Sequence, residues 1–380
     1  LHGLLRGDAR AISAKELSQT ISFARITLIV GLVFLHYEKF PNSQLSPFVG
    51  ANPAEHQFAT FVNSFVLFFF FSVVPLLSMI SGWLFFSFAA DPNSGPAGAL
   101  ARRIGRRFTS LYLPLLFWNA FFLALMLTLY CLAPADPLLK EFNIDFRTAG
   151  GLDYVNAVFG ITAHPIGFQF WFVRDLFLTV LVSPFLWLLL RAVPFWGAVA
   201  LGLVWITGND LWIFFRTDVL FFFYLGGLIR VRGWPVEIGW RATLAFLAAY
   251  IALVALRTSV PYLLEAHSPL ITAATRGMRL FGVVACWGLF LQVAPTRAGA
   301  AVARYGGLAF FLHAAHYPLL AEVKILLWPL LPAETDGWML AHYGASVLTT
   351  VALGVMAGIL LTRLLPNGFA LLNGGRSALG

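Results

Sequence analysis

The chain has 380 residues, 59% of them hydrophobic and only 11% charged, with 38 Phe, 12 Trp and a formal net charge of +8. A soluble domain needs a polar exterior and carries about a quarter charged residues, which excludes a soluble enzyme, a disordered chain and a secreted disulfide scaffold. Membrane β-barrel strands alternate polar and apolar residues; the long apolar runs seen here do not. What remains is an all-α, polytopic transmembrane helical bundle.

A spanning helix needs about 20 apolar residues. Ten segments fit, near 21–40, 61–89, 108–133, 168–190, 194–209, 213–230, 240–257, 277–294, 303–330 and 338–365. Excess Lys and Arg then reads as topology, not as nucleic-acid binding, because no basic, aromatic-studded surface accompanies it. Arg6, Arg10 and Lys15, the run Arg102, Arg103, Arg106 and Arg107, then Arg230, Arg232, Arg241, Arg363 and Arg376 fall on one side. Asp136, Glu141, Asp145, Asp153, Glu265, Glu334 and Asp336 fall on the other. The bias predicts both termini in the cytoplasm, with the long loops 41–60, 134–167 and 258–276 outside. It divides the chain into a cytoplasmic segment 1–20, a membrane domain 21–365 and a cytoplasmic tail 366–380. Cys131 and Cys286 lie in apolar runs, so neither a disulfide framework nor a metal site is expected.

Ionisable groups inside spans are costly and mark function by default. The first span carries Arg25 and His36. Eleven residues separate them by about 16 Å, and eleven steps of 100° return both to one face. A snorkelling anchor and an interfacial histidine are the plainer reading of this pair. The four arginines at 102–107 serve topology and lipid headgroups, and their forks can also grip phosphates bidentately. The fourth span opens on Trp171, Arg174 and Asp175, with Asp175 one turn from Trp171. Arg216 and Asp218 open the sixth; His313, His316, Glu322 and Lys324 lie in the ninth. With the termini inside, His36, Arg174, Asp175, Asp218, Glu322 and Lys324 share the outer half. A polar cavity with aromatic walls suited to sugar rings is expected there, with interhelical ion pairs as the alternative. A neutral histidine is the usual base near pH 7. A proton-coupled glycan or lipid transporter could use the same groups.

Arg25, ten residues and His36 resemble the R-x10-H signature of the acyltransferase-3 family of membrane acyltransferases. Arg103-x-x-Arg106 is similar to that family's R-x-x-R motif, Phe170–Val173 to its W-F-L-like helix entry, and Leu312 through Pro318 to its late His-Pro element, with His316 in the His place. His313 departs from that pattern. The resemblance spans residues 18–365. It implies a multi-pass protein of the bacterial inner membrane that O-acylates a cell-surface or exopolysaccharide glycan, free or lipid-linked. Acetyl-CoA or another acyl-CoA would be the donor co-substrate, with no metal. By that resemblance His36 is the base or acyl relay and Arg25 supports it. Arg103 and Arg106, assisted by Arg102 and Arg107, hold the coenzyme A phosphates. From their common depth, and not from the resemblance, Asp175 is expected to orient the imidazole or bind sugar, His316 or Arg174 to stabilise the oxyanion, and Trp171, Arg174, Asp218 and Glu322 to face the acceptor.

Overall fold

In the computed structural model, which describes residues 9–376 apart from 42, 44, 53, 91–95 and 264–267, Ser13 starts the first long helix. The Ser13 hydroxyl accepts from the Glu16 N–H at 3.2 Å, and the Glu16 carboxylate accepts from the Ser13 N–H at 2.9 Å. Two donors that the first turn leaves unpaired are thus satisfied reciprocally. Helix α1 (Ala14–Leu35) ends where His36 leaves helical backbone, at φ −95° and ψ 9°. Of the residues invoked for topology, Arg6 and Glu265 lie outside the described set.

All regular structure among the described residues is helical. Helices α2 (Gln57–Phe69) and α3 (Val73–Phe85) make one long rod through a 3-10 turn at Phe70–Ser72. Helices α4 (Pro96–Arg107) and α5 (Leu113–Leu132) make another through a π turn at Phe108–Tyr112. Pro114 has no N–H to offer the Ser110 carbonyl four residues back. Arg376 Nη1 donates to that carbonyl instead, at 3.1 Å. A short α6 (Gly151–Phe159) sits in the long loop that follows. Helices α7 (Trp171–Leu181) and α8 (Ser183–Ala192) meet at a 59° bend, with Pro184 in the first turn of α8.

The chain continues through α9 (Pro194–Thr207), α10 (Asp218–Val231), α11 (Trp240–Leu263) and α12 (Pro269–Val293). It closes with α13 (Arg297–Ala303), α14 (Ala309–Leu327), α15 (Asp336–Leu364) and α16 (Pro366–Leu372). Among the described residues seven helical segments are long and apolar enough to cross a membrane, or eight with the bent pair α7–α8 as one span. The protein is therefore a polytopic membrane bundle. The ten segments expected from hydropathy differ from this at 194–209 and 213–230. Pro194 and the left-handed Gly208 (φ 77°) bound α9, and a turn with positive φ at Leu211 and Trp212 delays α10 to Asp218. Each is then a 14-residue helix, about 21 Å long against a hydrocarbon core of about 30 Å. Helix α10 is apolar because it is enclosed: Val219, Phe222, Phe223 and Tyr224 are all buried.

Helix α1 is the hub. It packs on α3, α12, α13, α14, α15 and the 3-10 turn Arg304–Leu308. The closest backbone approach lies between α3 and α10. A Cβ on Gly82 would sit 2.0 Å from the Phe223 carbonyl oxygen, and one on Gly226 2.0 Å from that of Met79. Two backbones this near admit no methyl group without moving apart. Gly226→Ala is therefore expected to cost about 1–3 kcal/mol, read as earlier thermal unfolding in detergent. Gly105→Ala, where a Cβ meets nothing within 4 Å, is the control that keeps wild-type unfolding.

Candidate active site

Proline places the first catalytic candidate. Tyr317 precedes Pro318 and takes extended backbone (φ −122°, ψ 124°) inside α14, as the proline ring demands of its neighbour. The break strips carbonyls of their helical donors. Gln169, fully buried in the 3-10 turn Phe168–Phe170, donates from Nε2 to the carbonyls of Ala314 and Tyr317, both at 3.0 Å. That bond pair fastens the entry of α7 to the break and brings Phe168 beside α1. Phe168 meets His36 edge-on, with ring centroids 4.8 Å apart.

His36 and His316 stack at 5.0 Å, and His36 Nδ1 lies 2.7 Å from His316 Nε2. The proton order follows from the far end of the chain. His316 Nδ1 is 2.7 Å from the His313 carbonyl, which can only accept. His316 therefore carries its proton on Nδ1, its Nε2 accepts, and His36 donates from Nδ1. His36 Nε2 is left as the unprotonated nitrogen with no partner among the described residues, on a residue that lines a cavity of about 250 Å³. Trp171, Phe168, Arg216 and Arg279 share that cavity. His313 itself has no hydrogen-bond partner on either ring nitrogen and lies among Phe170, Phe172 and His316.

Asp175 is fully buried away from His36. One carboxylate oxygen accepts from Arg174 at 2.8 Å and the other from the Arg216 backbone N–H at 2.8 Å. Arg174 is consumed by structure: besides Asp175 it donates to the carbonyls of Gly160, Ile161 and Ile213, and its guanidinium lies 4.4 Å from the Phe215 ring centroid. The partner of His36 is thus His316, and Asp175 serves to seat the 213–216 turn. That turn carries Arg216, whose guanidinium stacks 4.9 Å over Trp171 and reaches the cavity. Asp218 pairs with both Arg216 and Arg279 at 3.0 Å. Glu322 is half-buried on α14 and borders neither His36 nor the Asp218 cluster. Its neighbour Lys324 donates to the carbonyls of Tyr37 (2.9 Å) and Lys39 (3.3 Å), a cation closing the C-terminal end of α1.

The other end of α1 is basic. On α4, Arg103 and Arg107 lie one turn apart on the half-buried face, and Arg102 and Arg106 on the exposed one. Arg103 donates to the Leu84 carbonyl (3.0 Å) and the Ser87 hydroxyl (2.9 Å). Arg25 and Arg107 make no hydrogen bond or ion pair with another described residue, and Arg376 stands with them. Burial pushes Arg376 down to about 9, and the charges of Arg107 and Arg25 push the same way. The three guanidinium groups thus repel one another, and no described acid is hydrogen-bonded to or ion-paired with any of them, an arrangement that an anion would stabilise. Among the described residues no group of three or more His, Cys, Asp or Glu could hold a metal.

The chain that places a histidine at one end of α1 and a cationic mouth at the other has relatives among known proteins. The model of the acyltransferase-3 family, described as an acyltransferase domain, matches residues 19–365. The chain belongs to this family. Membership implies acyl transfer inside a membrane bundle. The chain is 27% identical over 364 residues to the succinoglycan biosynthesis protein ExoH of Rhizobium meliloti (strain 1021), covering 95% of this chain and 93% of that one. No solved structure matches it. For this acyltransferase-3 member, four functional candidates escaped sequence reasoning. Arg376 counted only toward topology, Arg279 was not singled out, and Gln169 and Phe168 have no signature beyond preceding Trp171. The one usable signal was Pro318, whose freed carbonyls require a donor from elsewhere.

Proposed function

We propose that the protein is an O-acetyltransferase of the bacterial inner membrane. It moves an acetyl group from cytoplasmic acetyl-CoA to a hydroxyl of an extracytoplasmic or lipid-linked glycan in cell-surface polysaccharide synthesis. The observation that carries the reading is the His36–His316–carbonyl chain, which leaves His36 Nε2 as a free base on a cavity lined by arginine. The relationship to a succinoglycan biosynthesis protein supports a polysaccharide acceptor. Both termini face the cytoplasm in this scheme, which sets the Arg25 end at the donor side.

The coenzyme phosphates rest on Arg103 and Arg106 with Arg102 and Arg107, and Arg25 and Arg376 extend the cationic mouth inward. The pantetheine arm follows α1 for the roughly 16 Å to His36. The sugar O–H attacks the thioester carbonyl while its proton passes to His36 Nε2. Arg216, across the cavity, offers N–H donors to the oxyanion. The C–S bond then breaks, and the thiolate takes the proton back from His36, giving the sugar ester and free coenzyme A. His316 is a positioning residue: its Nε2 accepts from the Nδ1–H of His36 and stabilises the imidazolium that forms.

Turnover tests this. Purified protein given acetyl-CoA labelled in the acetyl group should release coenzyme A and pass label to glycan; folded protein that binds no coenzyme A would defeat the reading. His316→Phe keeps a stacked ring and removes the acceptor. It is expected to lower kcat about tenfold, the worth of one net hydrogen bond of about 1.4 kcal/mol. KM for acetyl-CoA should stay put while the acid limb of the pH–kcat profile moves, a shift that a merely structural role would not produce.

A further inference from the structure

A second cavity, of about 290 Å³, adjoins that of His36 and shares Phe71, Arg216 and Arg279 with it. Its charged lining is four arginines, Arg216, Arg257, Arg276 and Arg279, against two carboxylates, Asp210 and Asp218. Asp218 is already engaged by Arg216 and Arg279. Asp210 accepts from the Trp212 N–H and makes no ion pair with a described residue. Among the described residues, two positive charges are left without a counter-charge.

The donors there are only partly used. Arg279 is 7% exposed, and its Nε is buried with no hydrogen-bond partner. Arg257 spends Nε on the Thr275 hydroxyl at 2.9 Å, while its Nη1 is buried and unpartnered. Arg276 gives one nitrogen to the Ile206 carbonyl at 2.9 Å. A buried unpaired donor on a cation is expensive, and an oxyanion would satisfy several at once. Thr272, Thr275, Arg276 and Arg279 recur at helical spacing on α12 and turn one polar stripe of a spanning helix toward the cavity. Topology does not account for these arginines, because they lie at the His36 end, where the orientation above predicts few basic residues.

We propose that this cavity is the acceptor subsite for an oxyanion: the glycan presented to His36 carries a carboxylate or phosphate close to the hydroxyl that is acylated. The inference rests on the reading of His36 as the transfer centre. Arg257, Arg276 and Arg279 hold the anion, and Arg216, shared by both cavities, links anion recognition to the reacting carbonyl. Two sources share this chemistry, an acidic sugar and the phosphate of a lipid carrier.

Binding of three probes to purified protein in neutral detergent decides: methyl glucoside, methyl glucuronide and glucose 1-phosphate. The charged sugars are expected to bind at least tenfold more tightly than the glucoside, and to lose that advantage in high salt. The tighter of the two names the source. Arg276→Gln should abolish the discrimination and Arg276→Lys should keep part of it, with coenzyme A binding unchanged in both. Equal affinity of wild type for all three probes overturns the proposal, as does full discrimination in a folded Arg276→Gln protein. The comparison on wild type needs no variant to fold. Loss of coenzyme A turnover in wild type would instead strike at the transfer centre, so the two failures are distinct.

Discussion

His36→Ala is expected to lower acyl transfer by about 10²–10⁴-fold, the usual contribution of a general base, with coenzyme A binding intact. Nε2 of this ring is the nitrogen that the histidine chain leaves open to the cavity. Its removal should therefore fall on kcat, since the proposed phosphate site lies about 16 Å away along α1. The measurement is coenzyme A release and label transfer under saturating donor. His36→Gln separates the roles further. It can still donate a hydrogen bond toward His316 but cannot take a proton near neutral pH, so it should be as slow as alanine. Normal turnover in either variant would remove His36 from the chemistry and leave the histidine pair as packing. The fold is not at stake: the helix ends at His36, and the ring's contacts there are Phe168 and His316.

The two ends of α1 differ in kind, and the difference gives the helix its logic. At the Arg25 end, guanidinium groups gather with little acid among the described residues to neutralise them. At the His36 end, Arg174, Asp175, Arg216, Asp218, Arg279 and Lys324 each have a partner. Asp175 holds Arg174 and the Arg216 backbone; Asp218 joins Arg216 to Arg279; Lys324 caps α1. Structural ion pairs and a polar cavity, opposed as alternatives in the sequence, coexist here. The pairs position the few groups that remain free.

Helical class and membrane character were legible because they depend on composition. The span pattern was less so. Hydropathy cannot separate a helix buried in protein from one buried in lipid, and α10 is apolar on all sides because Phe222, Phe223 and Tyr224 face other helices. Partner choice was illegible for a different reason. His36 and His316 are 280 residues apart, and only the break at Pro318 and the bond from Gln169 bring them together. Asp175 looked available for His36 because both are polar and share a depth. Nothing in one sequence shows that the backbone of Arg216 has already claimed its carboxylate. Arg376 was invisible as a site residue because it follows the last span, and the π turn before Pro114 is what draws it back to Ser110.

Arg25→Gln with Arg107→Gln is expected to weaken acyl-CoA through its phosphates. Each charge-assisted hydrogen bond is worth about 1.5–3 kcal/mol, so each substitution should raise KM about tenfold or more. The double variant should multiply these unless the two grip one phosphate, in which case the second change adds little. Arg25 and Arg107 have no protein partner to lose among the described residues, and removing them relieves repulsion on Arg376. Stability should therefore hold or rise, which separates this outcome from unfolding. The deciding comparison uses acetyl-pantetheine, a thioester donor with no phosphate. Wild type and double variant should use it alike, at equal kcat and equal KM, and differ only on acetyl-CoA. An equal loss on both donors would mean that Arg25 and Arg107 act on the thioester or on the path to His36. An unchanged KM for acetyl-CoA would move the phosphate site outward to Arg102 and Arg106 on the exposed face of α4.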